Sequence, residues 1–182
     1  VAMLATIPHT ALYAPATFAE LELHLKQALY DTDGIAALRY PKGGEDPRLA
    51  NYVPQTDPVL WDEDGHDLLL VTYGRTYAEV AAYAAAARQA GRSVSVLKLN
   101  RVLPLSDHVI TKAAAYKCVL VLEEARGGVG DLLGSALLSA GYTGRYAVRS
   151  IEETLGACTT VQGLHQVGLD AEGIADFVAR KA

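Results

Sequence analysis

Two periodicities run along this chain, a short apolar run recurring as strands and a three-to-four-residue spacing recurring as helices. Ala11-Leu12-Tyr13-Ala14, stopped by Pro15, reads as a buried strand. Thr17 and Glu20 then form a capping box, ahead of Phe18, Leu21, Leu25, Ala28 and Leu29 at helical spacing. That stripe predicts a helix with one apolar face, His24 on its polar side, and an end before Asp33-Gly34. Ile35 to Tyr40 follows as a second strand, closed by Pro41, which cannot donate to a ladder. Strand–helix–strand order favours a parallel pair with a right-handed crossover.

The pattern weakens between Lys42 and Gly65, where three prolines and several acids replace it. This stretch reads as a surface connector, partly ordered by Tyr52, Val53 and Trp61. Regularity returns at Asp67. Leu68-Leu69-Leu70-Val71 is the continuous apolar run of a strand buried on both faces. Thr76 and Glu79 make a second capping box before Val80, Ala81, Ala84 and Ala87, with Gly91 placed to end the helix. Val94 to Leu97 is a strand, Ser106 caps a helix through Val109, Ile110 and Ala113, and Cys118 to Leu122 is a third buried strand. Gly127-Gly128-Val129-Gly130 leads into a helix ended by Gly141, Tyr146 to Ile151 is a fourth strand, and Asp170 caps a last helix through Ile174, Phe177 and Val178. Alternating strands and helices predict an α/β fold with a mostly parallel sheet flanked by helices. Residues 1–44 read as part of one α/β domain, 45–65 as a linker and 66–182 as a complete second domain.

Composition narrows the function classes. Half of the 182 residues are apolar, enough for a core without disulfide or metal staples, and the net charge of −5 leaves no basic face for a nucleic acid. Two widely spaced cysteines, Cys118 and Cys158, fit a reducing cytoplasmic setting and read as packing residues. No apolar run approaches the roughly 20 residues that span a bilayer. The opening Val1-Ala2-Met3-Leu4-Ala5 lacks the basic flank of a signal peptide and reads as strand-like, so a truncated chain is expected.

Few residues suggest chemistry. The five histidines show no ligand spacing, so no metal is expected on this chain. Ser135 falls inside a predicted helix, not at a strand-to-helix elbow. Gly127 to Gly130 could cradle an anion, but Glu123 and Glu124 just before it would repel phosphate, and a tight turn with close packing is favoured. As neighbours on a strand, those glutamates point to opposite faces; one reads as a buried hydrogen-bond partner and the other as solvated. Arg39 stands out, a guanidinium where an apolar strand ends. It needs an anionic partner, either a carboxylate of this protein or the phosphate or carboxylate of a substrate.

Taken together these blocks resemble a known family. Ile7-Pro8, Ala14-Pro15-Ala16-Thr17 and Leu38-Arg39-Tyr40-Pro41-Lys42-Gly43 are similar to the end of the pyrimidine-binding domain of the 1-deoxy-D-xylulose-5-phosphate synthases. Val71-Thr72-Tyr73-Gly74, the run Leu97 to Leu105, Val121-Leu122-Glu123-Glu124, Gly127 to Gly130 and Gly168 to Ile174 are similar to their transketolase C-terminal domain. The resemblance implies a transketolase-like, thiamine diphosphate- and Mg²⁺-dependent transferase that decarboxylates pyruvate and joins the two-carbon unit to glyceraldehyde 3-phosphate. It implies a cytoplasmic homodimer that feeds isoprenoid, thiamine and pyridoxal synthesis. It also makes residues 1–44 the C-terminal part of the pyrimidine-binding domain, and Arg39 the residue that holds the anionic end of a substrate. The cofactor-activating glutamate, the catalytic histidine and the diphosphate- and Mg²⁺-binding domain of the family have no counterpart in these 182 residues. No catalytic or cofactor-binding residue is therefore expected in this chain, and alone it should be inactive. A family block with a histidine corresponds here to Thr154-Leu155-Gly156-Ala157-Cys158, with Ala157 at the histidine position. Two other readings remain. One is the C-terminal subunit of another thiamine enzyme, a split transketolase or a 2-oxo-acid dehydrogenase β subunit. The other is a non-catalytic interaction module.

Overall fold

In the computed structural model, which describes residues 1–152 and 155–182, the chain begins with α1 (Ala2–Ala5), β1 (Thr10–Tyr13), α2 (Phe18–Tyr30) and β2 (Ile35–Leu38). A 3₁₀ turn, Pro47–Leu49, precedes β3 (Val59–Asp62), β4 (Leu68–Thr72), α3 (Thr76–Gln89), β5 (Val94–Leu99) and β6 (Arg101–Leu103). Then come α4 (Asp107–Ala113), β7 (Cys118–Leu122), α5 (Val129–Ser139), β8 (Arg145–Arg149), α6 (Thr160–Gln166) and α7 (Ala171–Lys181).

The larger sheet runs β3-β5-β4-β7-β8, parallel throughout except for the antiparallel edge strand β3. Every residue of β4, β5 and β7 is buried, because helices cover both faces. Side chains alternate across the pleat. Leu68, Leu70, Val96 and Leu120 pack with α3 and α7, while Leu69, Val71, Leu97 and Val121 pack with α4, α5 and Leu12 of β1. The smaller sheet, β2-β1-β6, joins the two parts of the chain: β1 and β2 are parallel, as the strand–helix–strand order predicts, and β6 pairs antiparallel with β1.

Chain-end chemistry accounts for the helix boundaries. Ser106 and Asp170 cap α4 and α7 as expected. Gly91 has φ +78° and closes α3, with its own amide bonded to Arg88 O and that of Arg92 to Ala87 O. Two capping boxes change form. Thr17 accepts from Glu20 N, but the Glu20 carboxylate passes over the N-cap to Ala16 N. At α3 the N-cap is Arg75, Thr76 Oγ1 donates to Tyr73 O, and Glu79 binds Arg48 and the amide of Ala171.

Other expectations are corrected. The opening segment is helical, and β3 rises from the stretch read as connector to pair with β5. Val53 is exposed, so Tyr52 and Trp61 do the packing there. Cys118 is buried, whereas Cys158 is exposed and packs nothing away from water. The predicted inner stripe of α2 is turned outward: Phe18, Leu25 and Leu29 are exposed, and the buried positions are Glu20 and His24. The reason is Lys98. Its ammonium lies 2.6 Å from Glu20, both side chains are fully buried, and this long-range pair decides which side of the helix faces in.

Candidate anion site at the strand ends

Three strands from both sheets end at one place. Arg39 follows β2, Tyr73 to Arg75 follow β4, and Glu123 and Glu124 follow β7. Carboxyl ends of parallel strands are where α/β folds open crevices, because the connections diverge there. A small cavity of about 150 Å³ lies among Arg39, Tyr40, Pro41, Tyr73, Arg75 and Glu124. A second, of about 250 Å³, continues along Pro41, Lys42, Arg48, Arg75, Glu79 and Thr160.

Glu123 and Glu124 divide as their alternation predicts. Glu123 is buried and accepts from Tyr73 Oη at 2.7 Å and from the amides of Val129 and Gly130 at 2.9 Å each. The glycine turn is thus an anion cradle already filled by the protein's own carboxylate. The close approach demands glycine: a Cβ at Gly128 would stand 2.2 Å from Glu123 Oε2, and one at Gly130 would stand 2.6 Å from a Val148 methyl. Burial and the adjacent Glu123 carboxylate raise the Tyr73 phenol, so it serves as a donor. The amides of Val129 and Gly130 are therefore already taken by a carboxylate of the protein itself. Among the described residues no three His, Cys, Asp or Glu side chains gather as a metal set.

Glu124 faces the cavity between two guanidinium groups. Arg39 Nη2 donates to its Oε2 at 3.3 Å, and Arg75 Nε approaches Oε1 at 3.0 Å without the alignment of a hydrogen bond. One carboxylate against two guanidiniums leaves one positive charge over. Arg39 is more open than an interior strand end predicts, its side chain 36% exposed, with the guanidinium carbon 5.9 Å from the Tyr73 ring centre. Arg75 is a site residue the sequence reading misses, although its signal is akin to that of Arg39: a cation three residues past the end of a buried strand. Of the other residues singled out, Ser135 lies within α5, His66 packs edge-on to Tyr116, Ala157 is exposed, and Thr154 lies outside the described residues.

No helix among the described residues is long and apolar enough to cross a membrane. The family model for the transketolase C-terminal domain matches residues 58–174, which begin at the edge strand β3 and end in α7. The 1-deoxy-D-xylulose-5-phosphate synthase of Mycolicibacterium vanbaalenii is 35% identical over 141 residues, covering 74% of this chain and 22% of that protein. The enzyme of the same name from Mycobacterium ulcerans is 35% identical over 144 residues, covering 76% of this chain and 23% of its own. The chain thus spans between a fifth and a quarter of the length of these relatives. A solved structure described as a split gene transketolase, inactive beta4 tetramer, superposes with a TM-score of 0.83 over 99% of this chain and 59% of its own, at 19% identity, which speaks for a shared fold. With 117 of its 182 residues inside the matched span, the chain belongs to the transketolase C-terminal domain family.

Proposed function

We propose that this chain works as the C-terminal section of a 1-deoxy-D-xylulose-5-phosphate synthase, with residues 1–44 ending the pyrimidine-binding domain and a connector leading into the C-terminal domain, whose edge strand is already Val59–Asp62. The observation that carries this reading is the 35% identity to enzymes of that name along three quarters of the chain. It favours the synthase over a split transketolase, since the structural likeness to the latter comes with 19% identity. In the proposed reaction pyruvate and glyceraldehyde 3-phosphate condense with loss of CO₂. Thiamine diphosphate and Mg²⁺ supply the carbanion chemistry, in a cytoplasmic homodimer. In this reading the cofactor's site belongs to other segments of the enzyme, which is supported by the Val129 and Gly130 amides already holding Glu123.

The contribution proposed for this chain is electrostatic. Arg39 and Arg75 share a single carboxylate through one long hydrogen bond and one misaligned contact. A substrate's phosphate or carboxylate entering the cavity offers Arg39 a second, bidentate acceptor. In the intact enzyme, Arg39→Ala should raise the Michaelis constant of one substrate at least tenfold while shifting the melting temperature little, since half-exposed ion pairs contribute under about 1 kcal/mol. Unchanged kinetics with a large loss of melting temperature would return Arg39 to a purely internal role, and product formed by the isolated 182-residue chain from both substrates, thiamine diphosphate and Mg²⁺ would refute the division of labour.

A further inference from the structure

A larger cavity, about 690 Å³, lies against β1 and shares no lining residue with the Arg39 cavity. Its walls come from the turn after α1, the end of α2, β6 with the loop beyond it, α4 and α5. The size falls within the range that holds small molecules. Leu4, Ile7, Leu103, Leu105, Ile110 and Leu132 make much of the lining apolar.

Arg101 breaks that apolar surface. It lies opposite Tyr13 in the β1–β6 pairing, only partly buried as a residue, and its Nε is shut away from solvent with no acceptor. Among the described residues it forms no ion pair with any carboxylate, as also holds for Arg92, Arg126, Arg145 and Arg149, but of these five only Arg101 has a guanidinium nitrogen shut from solvent without an acceptor. Thr10, which also lines the cavity, has a buried hydroxyl without a partner. Beside it His9 is held at φ +55°, uncommon for a non-glycine residue, with its carbonyl accepting from Ile35 N. A guanidinium has donors only, so what this wall lacks is an acceptor, and an anionic oxygen is the acceptor that also balances the charge.

We infer that this cavity is a binding site for a small amphipathic anion, a carboxylate or monophosphate on an apolar body, whose charged end pairs with Arg101 and whose body lies against the α4–α5 wall. Asp31 and Asp33, both exposed at the same cavity, set the opposite sign at its rim and disfavour a ligand with two negative charges far apart. This reading stands apart from the one proposed for Arg39.

The test is calorimetric titration of the 182-residue chain with octanoate and with phenyl phosphate, against octylammonium as the charge-reversed control. At least one anion should bind saturably in the micromolar to low millimolar range, and octylammonium should not. Arg101→Gln should weaken the anion about tenfold or more, Ala136→Phe should remove binding by filling the cavity, and Arg39→Ala should leave it unchanged. If Arg101→Gln does not fold, Arg101→Lys serves instead, since a point charge without the planar fork should still weaken the anion severalfold. Absence of saturable binding, equal affinity for octylammonium, or indifference to the Arg101 variants would overturn the inference.

Discussion

Glu20 and Glu123 are both buried carboxylates, and the protein keeps them inside by different means. Glu123, at the end of β7, has two backbone amides and a phenol and no cation in its hydrogen-bond set. Glu20, where α2 meets the large sheet, has Lys98 at 2.6 Å, Tyr52 Oη at 2.7 Å and Ala16 N at 2.7 Å. Lys98 also donates to Asn100 Oδ1 and lies 5.3 and 5.4 Å from the ring centres of Tyr52 and Tyr77. Asn100 Nδ2 in turn donates to Asp57 O. Burial would raise the Glu20 carboxyl, but the Lys98 charge and these donors outweigh it and hold the group below its ordinary range. The first arrangement secures one turn. The second fastens residues from the opening part, the connector and the large sheet to a single ammonium.

The largest effect should come from splitting the ion pair. Lys98→Met leaves Glu20 buried without its counter-ion, and removing one partner of a buried pair costs about 3–5 kcal/mol. Urea denaturation should show that loss, together with earlier proteolysis of the connector around Tyr52 than in the parent. The double variant Lys98→Met with Glu20→Gln should recover more than half of it, because the stranded charge is gone while an acceptor for Ala16 N remains. A double variant no more stable than the single one would show that packing around the lysine stem, and not the charge, holds this seam.

Glu123→Gln should cost less, about 1–3 kcal/mol, because the loss is one acceptor in a set of neutral donors: a glutamine must turn an NH₂ toward one of them. In a chain of this length that corresponds to a fall in melting temperature of a few degrees. If Glu123→Gln proved as damaging as Lys98→Met, the contrast between a carboxylate held by amides and one held by an ammonium would collapse.

The same contrast explains how much of the molecule was legible beforehand. The Glu123 cradle is local: its amides are six and seven residues on, a glycine turn lies between, and alternation along β7 says which glutamate points inward. The strands β4, β5 and β7, the caps at Ser106 and Asp170 and the stop at Gly91 are legible for the same reason, since each rests on neighbours in the chain. Lys98 and Glu20 are 78 residues apart. No window along the chain joins them, so the apolar stripe of α2 pointed the wrong way round and His24 was placed on the wrong side. β3 and β6 are not legible either, being four- and three-residue strands that form only because β5 and β1 offer them an edge. At the anion site, Arg39 was visible as a cation ending an apolar strand, but its sharing of Glu124 with Arg75 depends on β2 and β7 coming together.

The smallest effect separates two histidines that the same two kinds of environment treat in opposite ways. His24, at the ion-pair seam, is fully buried, has no partner on either ring nitrogen and stacks at 5.5 Å from Tyr13. Burial pushes its pKa below the ordinary 6.5, with Glu20 opposing and Lys98 assisting that shift. His165, at the surface end of α6, has Nδ1 2.7 Å from Asp170, and that hydrogen bond and charge raise its pKa. The signs follow from proton linkage. Below about 6.5 the unfolded chain takes a proton at His24 that the folded chain refuses, so stability falls as pH falls, by at most about 1.4 kcal/mol per pH unit for one proton. For His165 the folded chain holds its proton more tightly, so that favourable contribution is present in acid and fades as pH rises through the raised value. Ring-proton NMR should therefore place the His165 midpoint above 6.5 and that of His24 below it. Asp170→Asn should bring His165 back toward 6.5 without unwinding α7, since asparagine also caps a helix. His24→Phe should flatten the fall in stability between pH 7 and pH 5, and a fall that survives this substitution would assign it to another group.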